Sequence, residues 1–349
     1  MPAELLLDRA ACPKHMEFGP CGGVEFDGSC EIGVADGGPG RCVFLDAPVV
    51  RWHGGDVTGG ATSPGAERMR ARLATTQIVV ADFPARALDA ASLTACAEAL
   101  RGSVDAVLAG DSGRERVQFP PAYRTALIRA EGLDVWSGFT CRDRNRVAME
   151  AELAALAHAG VSGVHCVTGD HTRTGSRPDA APVFDLDSTQ AAALARAAGH
   201  LVSVAEAPAT PPVDHRPARL LEKERAGAEI CFVNHAGGVE PVAAFIGAAR
   251  ALGSRLGFIP CVPIVLDHAS AELLKSFTTL VLPPGYLDRI LAAADPRAEG
   301  IAAAIELSRG MLALDGVVGV DLSGGTGFGR ELDFARALAE IGRELRGAA

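Results

Sequence analysis

A chain of 349 residues, 48% hydrophobic and 22% charged, can bury a large core without disulfides and has the composition of a soluble globular protein. Its net charge of −10 argues against a nucleic-acid or anionic-membrane surface, since both want clustered Lys and Arg. No window approaches the roughly 20 apolar residues of a bilayer span, and Met1 to Lys14 lacks the basic and apolar regions of an export signal, so a cytoplasmic location is expected.

The chain opens on a cysteine-rich segment. Cys12, Cys21, Cys30 and Cys42 are interleaved with Gly-Pro and Gly-Gly turns. Cysteines of a cytoplasmic chain are reduced thiols, so such a cluster suggests metal before disulfide. Four thiolates close a tetrahedral zinc site or hold an iron–sulfur cubane, and the spacing does not choose between them. His15 and His53 could each replace a cysteine. Gly54 to Gly65, rich in Gly, Thr, Ser and Pro, reads as a linker. Two units are therefore expected: residues 1–60 as a cysteine-rich metal-binding module with its linker, and residues 61–349 as a second domain.

From there strand-like and helix-like segments alternate to the C-terminus. Short apolar runs predict strands at Gln77–Ala81, Val104–Ala109, Leu133–Phe139, Val161–Thr168, Leu201–Ala205, Glu229–Asn234, Leu256–Val262 and Val317–Leu322. Helical periodicity marks Ser92–Arg101, Arg144–His158, Ser188–Ala198, Arg216–Ala226, Val239–Leu252, Ala298–Ala313 and Arg330–Leu345. Pro121–Ala130 is a weaker helix, and Ala269–Ala294 holds two short ones. Eight strands each followed by helix predict an α/β fold, a (β/α)8 TIM barrel. An open doubly wound sheet uses the same grammar. The barrel is favoured because polar residues gather just after the strands, at Asp111, Thr140–Arg142, Asp170–His171, Asn234–His235 and Ser323–Gly325. Gly324-Gly325-Thr326-Gly327 could also serve as a phosphate turn.

Two groups of residues carry a family resemblance. Cys12-Pro13-Lys14, Gly19-Pro20-Cys21-Gly22-Gly23, Gly28-Ser29-Cys30-Glu31 and Cys42-Val43 resemble the cysteine-rich module associated with methylenetetrahydrofolate reductases, found in the MetV-type partner subunit and in some fused reductases. Phe139-Thr140-Cys141-Arg142-Asp143-Arg144-Asn145-Arg146, Val167-Thr168-Gly169-Asp170, Ala207-Pro208-Ala209-Thr210-Pro211-Pro212, Leu221-Glu222-Lys223 and Ala226-Gly227-Ala228 are similar to the reductase barrel itself. The resemblance implies an oxidoreductase interconverting 5,10-methylene- and 5-methyl-tetrahydrofolate, with FAD or reduced nicotinamide directly as hydride source.

It also implies roles. Asp170 would recognise the pterin, although an Asp after a strand is also a favoured helix cap. Asn234 stands where the family has a substrate-binding glutamine. Asp111, Arg114, Thr140, Thr168, Gly169 and Lys223 would contact the cofactor, Lys223 being otherwise an ordinary solvated helix lysine. A homo-oligomer and a reductase or electron-transfer partner protein are further expectations.

The departures bear on mechanism. The family's catalytic glutamate ends the first strand, and the ungapped match puts Ala81 there; Asp82, one residue on, serves only if the strand ends or slips. Gly138, Ala207 and Pro211-Pro212 stand where flavin contacts are expected. Asp82, Glu206 and His235, with His171, are the candidate acids. The alternative to a reductase is a tetrahydrofolate-binding methyltransferase or carrier component without redox activity, or a non-catalytic partner of a reductase complex.

Overall fold

The computed structural model describes residues 11–47, 49–55, 57, 61–110 and 115–347. Eight parallel strands close in chain order into one barrel: β1 (Ile78–Asp82), β2 (Ala106–Ala109), β3 (Val135–Thr140), β4 (Gly163–Val167), β5 (Val202–Glu206), β6 (Ile230–Val233), β7 (Gly257–Pro263) and β8 (Gly319–Ser323), which pairs back onto β1. The outer shell is built from α2 (Ala90–Leu100), α3 (Pro121–Ala130), α4 (Arg146–His158), α5 (Ser188–Ala197), α6 (Arg216–Arg225), α7 (Val239–Ala251), α8 (His268–Lys275), α9 (Tyr286–Leu291), α10 (Pro296–Leu312) and α11 (Glu331–Gly347). This is the (β/α)8 fold that the alternation predicts, and each predicted helix has its counterpart. Among the described residues no helix is long and apolar enough to cross a membrane.

The period of 2 in each strand sorts side chains between two cores. Ile78 and Val80 of β1 pack inside the barrel with Ala106, Trp136, Phe232 and Ile259. Val79 and Ala81 face outward, into the large cluster that the strands share with Leu93, Ala97 and Phe334 of the helices. Trp136 fills so much of the lower interior that a Cβ on Gly163 would lie 2.3 Å from its indole, so the neighbouring strand carries no side chain there.

One helix is absent from the sequence reading. α1 (Pro64–Leu73) begins inside the expected linker and closes the N-terminal end of the barrel with Ala66 and Met69. Ser63 caps it by accepting from the Ala66 amide at 3.4 Å, and Pro64 occupies the first turn, where its missing N–H costs nothing. Ser-Pro-Gly was legible as a turn and is instead a helix start. Arg70 fixes the plug by donating to Glu229 Oε2 and to the His200 carbonyl, both at 2.8 Å.

The cysteine-rich segment is docked on the C-terminal face of the barrel. The amides of Glu17 and Phe18 donate to Asp187, the N-cap of α5, at 3.1 and 3.3 Å. The amide of His171 donates to Glu31 at 3.1 Å, and Arg216 donates to the Cys21 carbonyl at 3.1 Å. The chain then passes α6, where the Trp52 amide meets Glu222 at 2.7 Å, and reaches Gly199 beneath α5, whose carbonyl accepts from Ser63 at 3.1 Å. The described residues on either side of the expected linker are thus fixed at α6, through Trp52, and beneath α5, through Ser63.

Candidate functional site

The C-terminal mouth of the barrel holds two carboxyls on neighbouring strands. With Ile78 and Val80 inside, alternation turns Asp82 inward as well and leaves Ala81, the residue matched to the family glutamate, facing the helices. No strand slip is needed for Asp82 to reach the mouth. Its Oδ2 accepts from Ser323 Oγ at 2.9 Å and from the Gly324 amide at 3.0 Å. Burial pushes its pKa up to about 6, and these two donors limit the rise. Asp321, on the inner face of β8, is 1% exposed, and the Cys261 thiol lies 3.6 Å from its Oδ2. Burial, and then the charge of Asp82, push the Asp321 carboxyl far above the usual carboxylate range.

His235 and Asn234 follow β6. His235 is buried, and burial lowers its pKa to about 4 against the opposing effect of the Cys261 backbone, so the imidazole is neutral near pH 7. Asn234 is exposed, and its backbone N–H donates to the Glu206 backbone carbonyl at 2.8 Å.

Glu206 has a different environment. It ends β5 beneath α6, where Lys223 Nζ lies 2.6 Å and Arg216 3.7 Å from its carboxylate. Burial alone would raise its pKa, but the charges of Lys223, Arg216 and Arg219 outweigh it and hold the carboxyl below its ordinary value. Glu206 is therefore an anion at neutral pH, with no proton to give as an acid. Lys223 is correspondingly not a solvated lysine: it is buried, and it also donates to the Ala205 carbonyl at 2.6 Å. Arg216 joins this cluster to the cysteine-rich segment through Cys21, and the fully buried Arg219 lies against Gly19.

The loops after β3 and β4 gather Thr140, Thr168, Gly169 and Asp170. Thr140 Oγ1 donates to the Thr168 carbonyl at 3.3 Å, and a Cβ on Gly169, whose φ is +86°, would collide with that hydroxyl at 2.0 Å. Thr168 Oγ1 accepts from the Ser188 amide at 3.1 Å and faces Met16 Sδ at 3.4 Å, so it is spent on docking. Asp170 is 57% exposed on its side chain and lies 3.7 Å from Arg116. It is not a helix cap; His171 fills that position, accepting from the Arg173 amide at 3.2 Å. His171 is a neutral imidazole too, its pKa lowered to about 4 by burial and by Lys14. Asp111 and Arg114 lie outside the described residues.

These placements do not fit a flavin. Lys223 is committed to Glu206 and Thr168 to docking. At Gly138 even a Cβ would lie 2.7 Å from the Gly110 backbone, which leaves no room for the histidine that the family has there.

Cys12, Cys21, Cys30 and Cys42 line one small cavity with Met16 and Phe44, which matches their grouping in the sequence. The Gly23 amide donates to Cys21 Sγ at 3.3 Å. Burial, then the charge of Cys21, push the Cys12 thiol up to about 12; burial likewise takes Cys42 to about 11. Lys14, ion-paired with Glu31 at 2.6 Å, supplies positive charge at the cavity wall. The thiols surround a space rather than a point: among the described residues no group of three or more His, Cys, Asp or Glu converges as the ligands of a single ion would. His15 and His53 turn elsewhere, to the Phe184 carbonyl at 3.3 Å and to Glu17 at 3.0 Å. Four thiols are the kind of donors that zinc or an iron–sulfur cluster takes, and they share the cavity wall with apolar residues such as Met16, Val43 and Phe44.

Sequence reasoning missed Asp321 and Cys261, although an Asp inside the apolar run Val317–Leu322 was itself a signal. It also missed His165, which faces the barrel interior and pairs with Ser203 Oγ at 2.9 Å.

No protein-family model matches the chain, and no curated protein matches it. Solved structures do resemble it. An uncharacterized protein from Clostridium thermocellum that binds two copies of 5-methyl-5,6,7,8-tetrahydrofolic acid superposes with a TM-score of 0.58 at 9% identity, covering 81% of this chain and 99% of that one. A putative lyase/mutase from Burkholderia cenocepacia gives a TM-score of 0.45 at 17% identity, covering 82% and 87%. Tryptophan synthase from M. tuberculosis gives 0.47 at 15% identity, covering 81% and 99%. At 9% identity the likeness to the first of these shows the fold alone.

Proposed function

We propose that this chain is a tetrahydrofolate-binding barrel that holds a methyl-tetrahydrofolate derivative at its C-terminal mouth and serves methyl transfer or one-carbon carriage rather than redox chemistry. The observation that carries the proposal is a mouth lined by inward Asp82 and exposed Asp170 and Asn234, on the same fold as the Clostridium thermocellum folate binder. A pterin presents N–H donors along one edge, which a carboxylate such as Asp170 or an amide such as Asn234 can read. The non-redox half rests on Ala81, which faces the helices where a reductase has its glutamate, and on Gly138, a position that has no room for the flavin-contacting side chain of the family.

Asp82 favours a second reading, a methylenetetrahydrofolate reductase that takes hydride from a reduced nicotinamide directly, because an inward carboxyl could replace the missing acid. Anaerobic incubation with 5-methyl-tetrahydrofolate and oxidised nicotinamide separates the two. The ligand is expected to be recovered intact; conversion to the methylene form at the rate of an enzyme would establish the reductase.

Cys12, Cys21, Cys30 and Cys42 would hold zinc or an iron–sulfur cluster, which cross-links a segment that has little apolar core of its own. Metal analysis of the purified chain should find the metal in stoichiometric amount. Its removal by a chelator is expected to release the segment, seen as rapid proteolytic cleavage before residue 64 with the barrel left intact. Equal protection with and without metal would refute the cross-linking role.

A further inference from the structure

The floor of the mouth carries a histidine that the folate reading does not use. Trp136 pairs with Gly163, and His165 lies two residues further along β4, so alternation turns it inward just above the indole. Its ring meets Phe232 at 4.8 Å between centroids, tilted by 66°, and Phe232 meets Trp136 edge-on at 5.5 Å. Its partners across the sheet are Gly138 and Ser203, neither of which has a side chain long enough to cover it. Trp136 and α1 close the barrel below, so the 8% of His165 that stays exposed opens toward the C-terminal mouth. The inner positions one step above agree: Val167 and Ala205 are half-buried, while the outward Cys166 and Val204 are buried.

Hydrogen bonding holds the ring in one tautomer. Nδ1 lies 2.9 Å from Ser203 Oγ, and Ser203 in turn donates to the Val164 carbonyl at 3.5 Å. The serine has one hydroxyl proton, so both contacts are hydrogen bonds only if Nδ1 carries the imidazole proton and Ser203 Oγ accepts from it. Nε2 is then a bare lone pair, and among the described residues no group bonds it. Burial, and then the charge of Lys223, lower the pKa of the ring to about 3, so it stays neutral.

We propose that His165 is a ligand-binding residue whose bare Nε2 accepts a hydrogen bond from the N8–H of a bound tetrahydropterin, and that it thereby selects reduced folates over folic acid. The choice of ligand rests on the folate reading; the tautomer does not. In the reduced ring N8 is an N–H donor, whereas in folic acid it is an aromatic nitrogen with a lone pair. Against Nε2 the first makes a hydrogen bond, and the second sets two lone pairs face to face with neither satisfied. The pyrimidine N–H groups that a rim carboxylate such as Asp170 can read are common to both ligands. The floor of the mouth is therefore where the oxidation state of the ring is sensed.

The test is anaerobic calorimetric titration of the full chain with 5-methyl-tetrahydrofolate and, separately, with folic acid. The wild type should bind the reduced ligand more tightly by about tenfold or more, the worth of not leaving a buried polar pair unsatisfied. His165→Phe keeps a ring and removes both nitrogens; it should lose that preference by weakening 5-methyl-tetrahydrofolate, with folic acid little changed. A purely structural histidine would weaken both ligands together. Ser203→Ala, a smaller change to the interior, frees the ring to turn an N–H outward and should narrow the preference in the same way should the phenylalanine variant fail to fold. In NMR spectra of the chain with nitrogen-labelled histidine, the His165 ring should carry its proton on Nδ1, and its Nε2 signal should move when 5-methyl-tetrahydrofolate is added. A proton on Nε2, or a preference for the reduced ligand that survives both substitutions, would overturn the inference and leave folate binding standing. A chain that binds neither ligand overturns the folate reading itself, and the ligand role of His165 with it.

Discussion

An Ala81→Glu variant is expected to lose most of its stability and to gain no reductase activity. If Ala81 stood in the active site, a glutamate there would restore the acid of the reductase family. It stands instead at 0% exposure on the outer face of β1, in the cluster that includes Leu93, Ala97 and Phe334. A carboxyl forced into that layer is overpacked and must either ionise without a partner or stay protonated, at a cost of several kcal/mol out of a typical total of about 5–15 kcal/mol. Urea unfolding followed by circular dichroism measures the loss. A variant of normal stability with new activity would mean that β1 is turned over, with Ala81 inside and Asp82 out.

Glu206→Ala is expected to be nearly as damaging, and for the opposite reason. It removes the carboxylate that faces three buried cations, Lys223, Arg216 and Arg219, and breaking a buried pair from one side costs about 3–5 kcal/mol. The pH dependence has a definite sign. Because the folded pKa of Glu206 lies below its ordinary 4.5, its contribution is complete above that value and is lost as pH falls through the folded pKa. The wild type should therefore show an acid-side loss of stability that Glu206→Gln lacks. Arg216 also holds the Cys21 carbonyl, so the cysteine-rich segment should become susceptible to limited proteolysis in the same variant. If Glu206→Ala unfolds at the wild-type urea midpoint, the cluster is solvated and the account of it fails.

The barrel was legible because its grammar is local. Apolar runs such as Val161–Thr168 and alanine-rich segments such as Ser188–Ala198 announce strand and helix by period alone, and closure follows from having eight of each in turn. α1 was not legible: Ser63-Pro64-Gly65 is as good a turn as a helix start, and only Ala66, Met69 and Leu73 mark its apolar side. The facing of Asp82 was decided by the inner positions of Ile78 and Val80, which become identifiable only once the neighbouring strands are in place. Glu206 and Lys223 are separated along the chain, and nothing in either segment announces that they meet beneath α6. The four cysteines announced their grouping, but their docking depends on Asp187 and Arg216, residues that read as an ordinary cap and an ordinary helix arginine.

Calorimetric titration of the purified chain with 5-methyl-tetrahydrofolate, under anaerobic conditions, tests the central claim most directly. The account expects saturable binding that Asp170→Ala weakens by about tenfold or more, the loss of a hydrogen bond to a charged group being worth about 1.5–3 kcal/mol. The fold should be unchanged in that variant, because Asp170 is largely exposed. Absence of binding at millimolar ligand, or binding indifferent to Asp170, Asn234 and Asp82 alike, would contradict it.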